Sequence, residues 1–275
     1  MQYPKANFHT HTTFCDGSDT PQAVADYAYA KGFTALGFSG HMDPDIHMDM
    51  PAYLKEIHRL QQEYNGRMEI LCGVELDTLY DPQLAAGAQY MIGSTHFLDV
   101  DSPIPLSVDN TPEMMKLLAE EYFGGDYYRL AKAYYETEAK VAERTNCTFI
   151  GHFDLVVRFN DQLHFLDEND PRYLTPALET MEYLVSKGIP FEINCGAYNR
   201  GRKKELYPNT VLLKKLKELG GEILISSDSH QKEPLDGGFD FAVQKALECG
   251  FTHTNLLTID RCGQTEWRQI ALDQT

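Results

Sequence analysis

Short apolar runs alternate with longer amphipathic segments along most of the chain. The apolar runs are typical of buried strands in length and composition, and they cover residues 6–8, 35–39, 69–74, 90–94, 148–151, 190–194 and 223–227. A last apolar run, residues 256–259, is expected to pair as an extra strand. This alternation predicts a mainly parallel sheet whose strands are joined by crossover helices.

Helix boundary signals separate the predicted strands. Thr20-Pro21 combines a favourable N-cap with a proline at the first helical position, and Gly32 is a typical stop. Signals of this kind predict helices over residues 20–32, 51–64, 111–145 with a break at 124–125, 173–187, 208–219 and 238–249, and a short helix over 83–89.

The number of strand–helix units predicts closure into an α/β barrel related to the TIM type. An open doubly wound sheet is the alternative. Because the chain contains no linker, low-complexity tract or charge block, residues 1–275 are expected to form a single domain.

The net charge and the cysteine pattern limit the partners and the cellular compartment that we expect for this protein. The formal net charge of -17 disfavours a nucleic-acid partner and suits a protein that gathers metal cations. The chain shows neither a basic-plus-apolar leader nor an apolar run of about 18 residues. Its six cysteines include no C-x-x-C pair. We therefore expect a cytoplasmic protein with reduced thiols and no membrane partner.

Histidine and carboxylate residues follow one predicted strand after another. The carboxyl ends of barrel strands converge on one face, where catalytic groups lie. Each such residue alone is more typical of a solvated loop or a helix cap, but six of the ten histidines occupy these positions. The set consists of His9, His11, His41, Glu75, His96, His152, Asp228 and His230, with Asp16 in the first loop.

Imidazole and carboxylate ligands without thiolates are typical of zinc, manganese or iron in hydrolytic sites. Nine candidates are too many for one ion, and a carboxylate such as Glu75 can bridge two. The pattern therefore predicts more than one divalent metal ion. His47 lies in a Met- and Asp-rich loop that is a candidate cover for the site, whereas His58, His164 and His253 are expected to lie outside it.

With these residues assembled, the chain resembles the polymerase-and-histidinol-phosphatase (PHP) family of metal-dependent phosphoesterases, especially its stand-alone histidinol-phosphatase branch. The matching motifs run through most of the chain in the family's order. They are His9-Thr10-His11 with Asp16-Gly17, Gly37-Phe38-Ser39-Gly40-His41, Gly73-Val74-Glu75, Ile92-Gly93-Ser94-Thr95-His96-Phe97, Gly151-His152-Phe153-Asp154-Leu155 and Ser227-Asp228-Ser229-His230.

The resemblance implies a distorted TIM-like (β/α)7 barrel with a metal site of two or three ions at the C-terminal strand ends. It assigns His9, His11, Glu75 and Asp228 to one metal, Glu75, His96 and His152 to a second, and Asp16, His41 and His230 to a third. Zinc, iron and manganese all remain candidates.

The resemblance also implies basic groups for a phosphate. Arg158 and Arg200 are the matches, because a planar guanidinium pairs with two phosphate oxygens. Arg202, Lys203 and Lys204 share the loop of Arg200, so the sequence leaves open which of them reaches inward, with Arg200 favoured.

Four residues are expected to be catalytic: Asp228, His230, Arg158 and Arg200. Asp43 or Glu192 is a candidate partner for a substrate ammonium group.

The activity that the resemblance implies is hydrolysis of a small phosphate monoester. The leading substrate is L-histidinol phosphate, cleaved to L-histidinol and phosphate in histidine biosynthesis by attack of a metal-bridging hydroxide. The alternatives are a broader phosphoesterase such as a phosphotyrosine phosphatase, an amidohydrolase-like C–N hydrolase, or a non-catalytic metal-binding family member. No candidate carbamylated lysine ends a strand, which disfavours the C–N hydrolase, and the complete ligand set disfavours loss of activity.

Overall fold

The strands form a nearly closed parallel barrel. The computed structural model describes residues 5–260 and 262–272. Its strands are β1 (Ala6–Asn7), β2 (Ala35–Phe38), β3 (His41–Met42), β4 (Glu69–Asp77), β5 (Tyr90–Ser94), β6 (Phe149–Ile150), β7 (Phe191–Asn194), β8 (Ile223–Ser226), β9 (His253–Ile259) and β10 (Thr265–Ala271).

Seven strands make up the barrel wall, in the order β1-β2-β4-β5-β6-β7-β8, and all neighbours in that order are parallel. The short β3 pairs with the far end of β4, where His41 lies opposite Glu75. Between β1 and β8 the wall closes through a parallel bridge, in which the His11 amide donates to the Ser229 carbonyl at 2.8 Å. The barrel prediction is confirmed, and the open sheet is excluded.

Most of the connecting helices lie where the boundary signals predict them. They are α1 (Pro21–Ala30), α2 (Met50–Glu63), α3 (Pro112–Phe123), α4 (Tyr127–Glu138), α5 (Val141–Thr145), α6 (Asn160–Leu163), α7 (Pro171–Ser186), α8 (Gly196–Asn199), α9 (Thr210–Glu218) and α10 (Phe239–Glu248), with 3-10 turns at Pro82–Ala85 and Leu155–Val157. In the described ranges, every helix falls short of the length and apolarity that crossing a bilayer requires.

Two helix predictions need correction. The segment 111–145 contains three helices. The predicted break at 124–125 is confirmed, because Gly124 adopts a left-handed conformation that ends α3 and Asp126 then caps α4. A second break, between Glu138 of α4 and Val141 of α5, was not predicted. Helix α9 begins at Thr210, two residues after Pro208, since the Asn209 side chain accepts hydrogen bonds from the first free amides of the helix.

A C-terminal hairpin covers the amino-terminal end of the barrel. Strand β9 pairs in antiparallel register with β10, so the predicted extra strand lies outside the barrel wall. Leu256, Leu257 and Trp267 of this hairpin pack with the residues that begin the barrel strands, such as Phe149 of β6. Because the hairpin fills this end, the functional groups are left to the opposite end, where the strands finish.

Candidate metal centre

Four of the ligand-type side chains follow the ends of barrel strands at the same distance. His9, His96, His152 and Asp228 each lie two residues beyond the last residue of β1, β5, β6 and β8, respectively. Because neighbouring parallel strands finish at the same edge, this common offset brings the side chains to one level of the barrel.

Glu75 lies at the centre of the cluster and is almost completely buried. Its Oε2 atom is 3.1 Å from His9 Nε2 and 3.4 Å from His11 Nε2. The Asp228 Oδ1 atom lies 3.3 Å from the same His11 nitrogen and 3.7 Å from His9 Nε2. These four residues therefore surround one point with two imidazoles and two carboxylates.

The second carboxylate oxygen of Glu75 faces a different pair of imidazoles. Its Oε1 atom is 2.8 Å from His152 Nε2 and 3.3 Å from His96 Nε2. It also accepts a hydrogen bond from Ser94 at 2.8 Å. Glu75 is thus placed between two ligand groups, with one oxygen turned to each.

A third group lies nearer to solvent. His230 Nε2 is 3.0 Å from Asp16 Oδ2, and His41 Nε2 is 3.8 Å from Asp16 Oδ1. Ligand atoms of these three residues and of His11 all lie within 4.8 Å of one another. Burial, together with His230 and His41, lowers the pKa of His11 to about 3, so this imidazole is neutral at ordinary pH, as a metal ligand must be.

The donor atoms of the first group fit a cation. His9 Nε2, His11 Nε2 and Glu75 Oε2 are buried and have no hydrogen-bond partner. Buried polar atoms nearly always have a hydrogen-bond partner. Lone pairs that converge on one point without a hydrogen-bond donor among them therefore indicate an ion site. Nitrogen and oxygen ligands of this kind suit zinc, manganese or iron.

The charge of Glu75 is consistent with that role. Burial opposes ionisation of the carboxyl, but His9, His41 and His96 outweigh it and hold the pKa of Glu75 well below its usual range. The residue is therefore a carboxylate, the form that coordinates metals.

The backbone around Asp228 is shaped for this geometry. Asp228 has a φ of 48°, a left-handed conformation that non-glycine residues rarely adopt and that often marks functional positions. Gly196 faces it, and a Cβ atom at this position would lie 2.5 Å from Asp228 Oδ2. A glycine is required there because any larger residue would push the carboxylate out of place.

A cavity of about 510 Å³ opens over the three groups, and arginines line one side of it. Arg158 donates from Nη1 to Asp109 Oδ2 at 2.9 Å, while its buried Nε has no partner. Arg200 donates from Nη1 to the Asp228 carbonyl at 2.9 Å and from Nη2 to Asp228 Oδ2 at 3.2 Å. Arg202 also lines the cavity.

The other basic residues of the 200–204 loop differ in position. Arg202 lines the same cavity as Arg158 and Arg200, and burial together with the charges of those two residues lowers the pKa of Arg202. Lys203 is buried below the loop and donates to the Val157 carbonyl at 3.2 Å. Its ammonium group therefore supports the loop from beneath.

The comparisons with known proteins agree with this geometry. A model of the PHP domain family matches residues 7–196. The chain belongs to the PHP domain family. This PHP chain is 30% identical over 253 residues to a probable histidinol-phosphatase of Deinococcus radiodurans, covering 85% of this chain and 88% of that protein. It is 27% identical over 271 residues to a probable histidinol-phosphatase of Schizosaccharomyces pombe, covering 89% and 86%.

Solved structures support the fold of the PHP chain. A putative histidinol phosphatase from Listeria monocytogenes superposes with a TM-score of 0.75 at 19% identity, over 86% of this chain and 99% of that one. The histidinol phosphate phosphatase of Lactococcus lactis superposes with a TM-score of 0.69 at 22% identity, over 92% and 96%. That crystal structure is described as a complex with zinc, L-histidinol and phosphate.

All nine sequence-predicted ligand residues lie in one cluster, and Arg158 and Arg200 border the same cavity. His47 is exposed and stacks on Tyr80, and it follows Ile46, which lines the cavity. Among the residues that the structure describes, His58, His164 and His253 do not line this cavity.

A set of outer carboxylates, which was not predicted from the sequence, lies behind the ligand histidines. His9 Nδ1 lies 2.8 Å from Glu192 Oε1, and His96 Nδ1 lies 3.4 Å from Asp77 Oδ2. The expectation that Glu192 pairs with a substrate ammonium group is wrong, because its carboxylate is fully buried and hydrogen-bonded to His9. A charged residue between Phe191 and Ile193 in a buried strand was the available signal.

Asp43 has a similar position on the cavity side. Its Oδ2 atom is 3.3 Å from His41 Nδ1, and its Oδ1 atom accepts hydrogen bonds from the Asp45 and Ile46 amides at 2.7 Å and 2.6 Å. Asp43 thus holds the 42–50 loop in a tight turn beside His41.

Proposed function

We propose that this chain is a metal-dependent phosphoric monoester hydrolase that converts L-histidinol phosphate and water into L-histidinol and phosphate. The observation that carries the proposal is the placement of Glu75 between two ligand groups, with a third group beside them, in a cavity bordered by arginines. The relatives named histidinol-phosphatase, which align over most of the chain, support this choice of substrate.

The proposed metal ligands follow the three geometric groups. We assign His9, His11, Glu75 and Asp228 to one ion, Glu75, His96 and His152 to a second, and Asp16, His41 and His230 to a third. When bound, such ions supply Lewis acidity toward the phosphate and lower the pKa of a water molecule. Zinc is supported by the Lactococcus lactis complex, and iron and manganese suit the same ligands.

The arginines are proposed to bind the phosphate. Arg158 lines the cavity, and its ion pair with Asp109 fixes the orientation of its guanidinium plane. Arg200 is held by Asp228 in the same way. Guanidinium groups of this kind stabilise the charge that the equatorial oxygens carry during phosphoryl transfer.

Asp228 and His230 are proposed to act at the reacting end of the substrate. The imidazole of His230 lies between Asp16 and Arg200, with its Nδ1 3.3 Å from Arg200 Nη1. It thereby links the third ligand group to the arginine side of the cavity.

A cavity of about 510 Å³ is within the usual size range for small-molecule sites.

The deciding experiment measures phosphate release from L-histidinol phosphate, phosphotyrosine and p-nitrophenyl phosphate, with zinc- or manganese-loaded protein and a chelator-treated control. We expect metal-dependent turnover with a strong preference for L-histidinol phosphate. Weak, unselective release from all three esters would favour a broader phosphoesterase and contradict the biosynthetic assignment. No release from any ester by metal-loaded protein would overturn phosphoesterase activity itself.

A further inference from the structure

One buried carboxylate lies directly behind the ligand cluster and is unused in the proposed chemistry. Glu192 belongs to β7, where alternate side chains point to opposite faces. Phe191 and Ile193 pack in the core between the wall and its helices, so Glu192 points into the barrel interior. It has no solvent exposure.

An unpaired carboxylate in such a place is costly, and buried charges are normally compensated. In the part of the chain that the structure describes, no lysine or arginine pairs with Glu192. Three donors replace them: His9 Nδ1 at 2.8 Å from Oε1, and the His152 amide at 3.0 Å and Asn194 Nδ2 at 2.9 Å from Oε2.

The contact with His9 determines which ring nitrogen carries the proton. An ionised carboxylate only accepts hydrogen bonds, so the imidazole must donate from Nδ1. The lone pair of His9 is then on Nε2, the buried atom that faces Glu75 Oε2 at 3.1 Å and has no hydrogen-bond partner. Carboxylates that hold metal-bound histidines in this way are usual in protein metal sites.

The contact with His152 orients a different ligand. Strand β6 has two residues and pairs with β7 through a single position, Ile150 opposite Phe191. The segment that carries His152 therefore has little ladder support. The hydrogen bond from the His152 amide to Glu192 Oε2 anchors this segment at His152 itself. The Nε2 atom of the same residue lies 2.8 Å from Glu75 Oε1.

We propose that Glu192 is a positioning residue. Its carboxylate orients both His9 and His152, and so fixes the positions of two proposed metal sites relative to each other. The inference rests on the proposed metal assignment, since it concerns residues given to two different ions. It predicts that loss of the Glu192 charge weakens metal binding while the arginine side of the cavity is unchanged.

The test is Glu192→Gln. A glutamine side chain has one acceptor oxygen and one donor amide where three donors converge, so either His9 changes tautomer or the His152 amide loses its acceptor. By chelator competition we expect metal affinity to fall by about 10- to 100-fold. At subsaturating metal, kcat should fall while KM for the ester changes little, because the arginines are not altered.

Glu69→Gln is the matched control. Glu69 begins β4 at the opposite end of the barrel, and its side chain accepts a hydrogen bond from the Ile259 amide at 2.7 Å, which glutamine can retain. We expect unchanged metal affinity and turnover for this variant. If wild type binds metal and cleaves the ester, and Glu192→Gln equals it in affinity and rate, the positioning role is overturned while the proposed function stands. If wild type binds no metal, both fail.

A second measurement does not depend on the folding of a variant. Long-range proton–nitrogen NMR correlation spectra of the zinc-loaded wild type report the state of each histidine nitrogen. We expect His9 to carry a proton on Nδ1 and zinc on Nε2, as its bond to Glu192 requires. A protonated Nε2 with zinc on Nδ1 would overturn the inference.

Discussion

Glu75 is the side chain on which the cluster depends, because its two oxygens lie within 3.4 Å of nitrogens from five histidines. The sequence alone placed it correctly, since an acidic residue at the end of an apolar run is conspicuous. The roles of Glu192 and Asp77 were not predictable in the same way. Glu192 lies within the buried strand β7. Asp77 ends β4, which extends three residues beyond the predicted strand 69–74, so its place beside His96 had no sequence signal.

A single substitution tests the proposed role of Arg158 in binding the phosphate. Arg158→Lys keeps the positive charge but loses the planar fork, so we expect kcat/KM for the ester to fall by roughly 10-fold or more, about the contribution of one charge-assisted hydrogen bond. Metal content should be unchanged, because Arg158 contacts Asp109 and none of the proposed ligands. Steady-state kinetics with saturating metal measures the effect.

Arg172→Lys is the control for that prediction. Arg172 also pairs with an aspartate, Asp170, at 2.7 Å, but its side chain is 65% exposed at the start of α7. We expect its kinetics to match wild type. Equal kcat/KM for Arg158→Lys and wild type would exclude Arg158 from the phosphate site.

Helices and strands were predictable where a local signal decides them. Thr20 caps α1 with its own side chain, as the pair Thr20-Pro21 indicates in the sequence. Helix α2 begins at Met50, one residue before its predicted start, because the Asp49 side chain caps it. The start of α9 was misplaced because Pro208 and Asn209 are both favourable start residues, and only the fold decides between them. Strand β10 was missed because most of its side chains are exposed, so it lacks an apolar pattern.

Helix α4 contains a buried acid whose titration should affect stability. Glu138 is fully buried, and neither carboxylate oxygen has a hydrogen-bond partner. Burial raises its pKa from 4.5 to about 8, and the charge of Asp77 adds to this effect. The folded protein therefore retains a proton that the unfolded chain loses above about pH 4.5. The contribution of Glu138 to stability is thus complete below that pH and is lost progressively up to about pH 8.

Glu138→Gln should remove this pH dependence, because the amide stays neutral. We expect the difference in free energy of unfolding between pH 5.5 and pH 9 to be smaller in the variant than in wild type by a few kcal/mol. Urea unfolding of chelator-treated protein measures it. Glu136→Gln changes an exposed residue of the same helix and should behave as wild type. Identical pH profiles for Glu138→Gln and wild type would show that Glu138 is ionised in the fold.

The barrel as a whole has two chemically different ends. The parallel wall was predictable from the repeated apolar runs, but the hairpin that covers its amino-terminal end was not, because β9 and β10 contact residues from the whole length of the chain. The division separates residues that pack the barrel from the proposed metal and phosphate ligands, as is usual in TIM-type folds.

Leu257→Ala tests this separation. Leu257 is almost completely buried under the barrel, so its truncation should reduce the free energy of unfolding by about 2–5 kcal/mol. Metal affinity and kcat, measured well below the unfolding temperature, should stay at wild-type values. Leu219→Ala removes an exposed leucine and should change stability by about 0.5 kcal/mol or less. A comparable loss of metal affinity in Leu257→Ala would show that the two ends are coupled.

The position of the hairpin also has a practical consequence for handling the molecule. Because β9 and β10 lie under the barrel, attachment of the protein to a solid support through an exposed hairpin residue such as Glu266 would leave the cavity facing the solution. Attachment through the 42–50 loop would instead place the support beside the entrance. The hairpin is therefore the natural anchoring point for an immobilised catalyst.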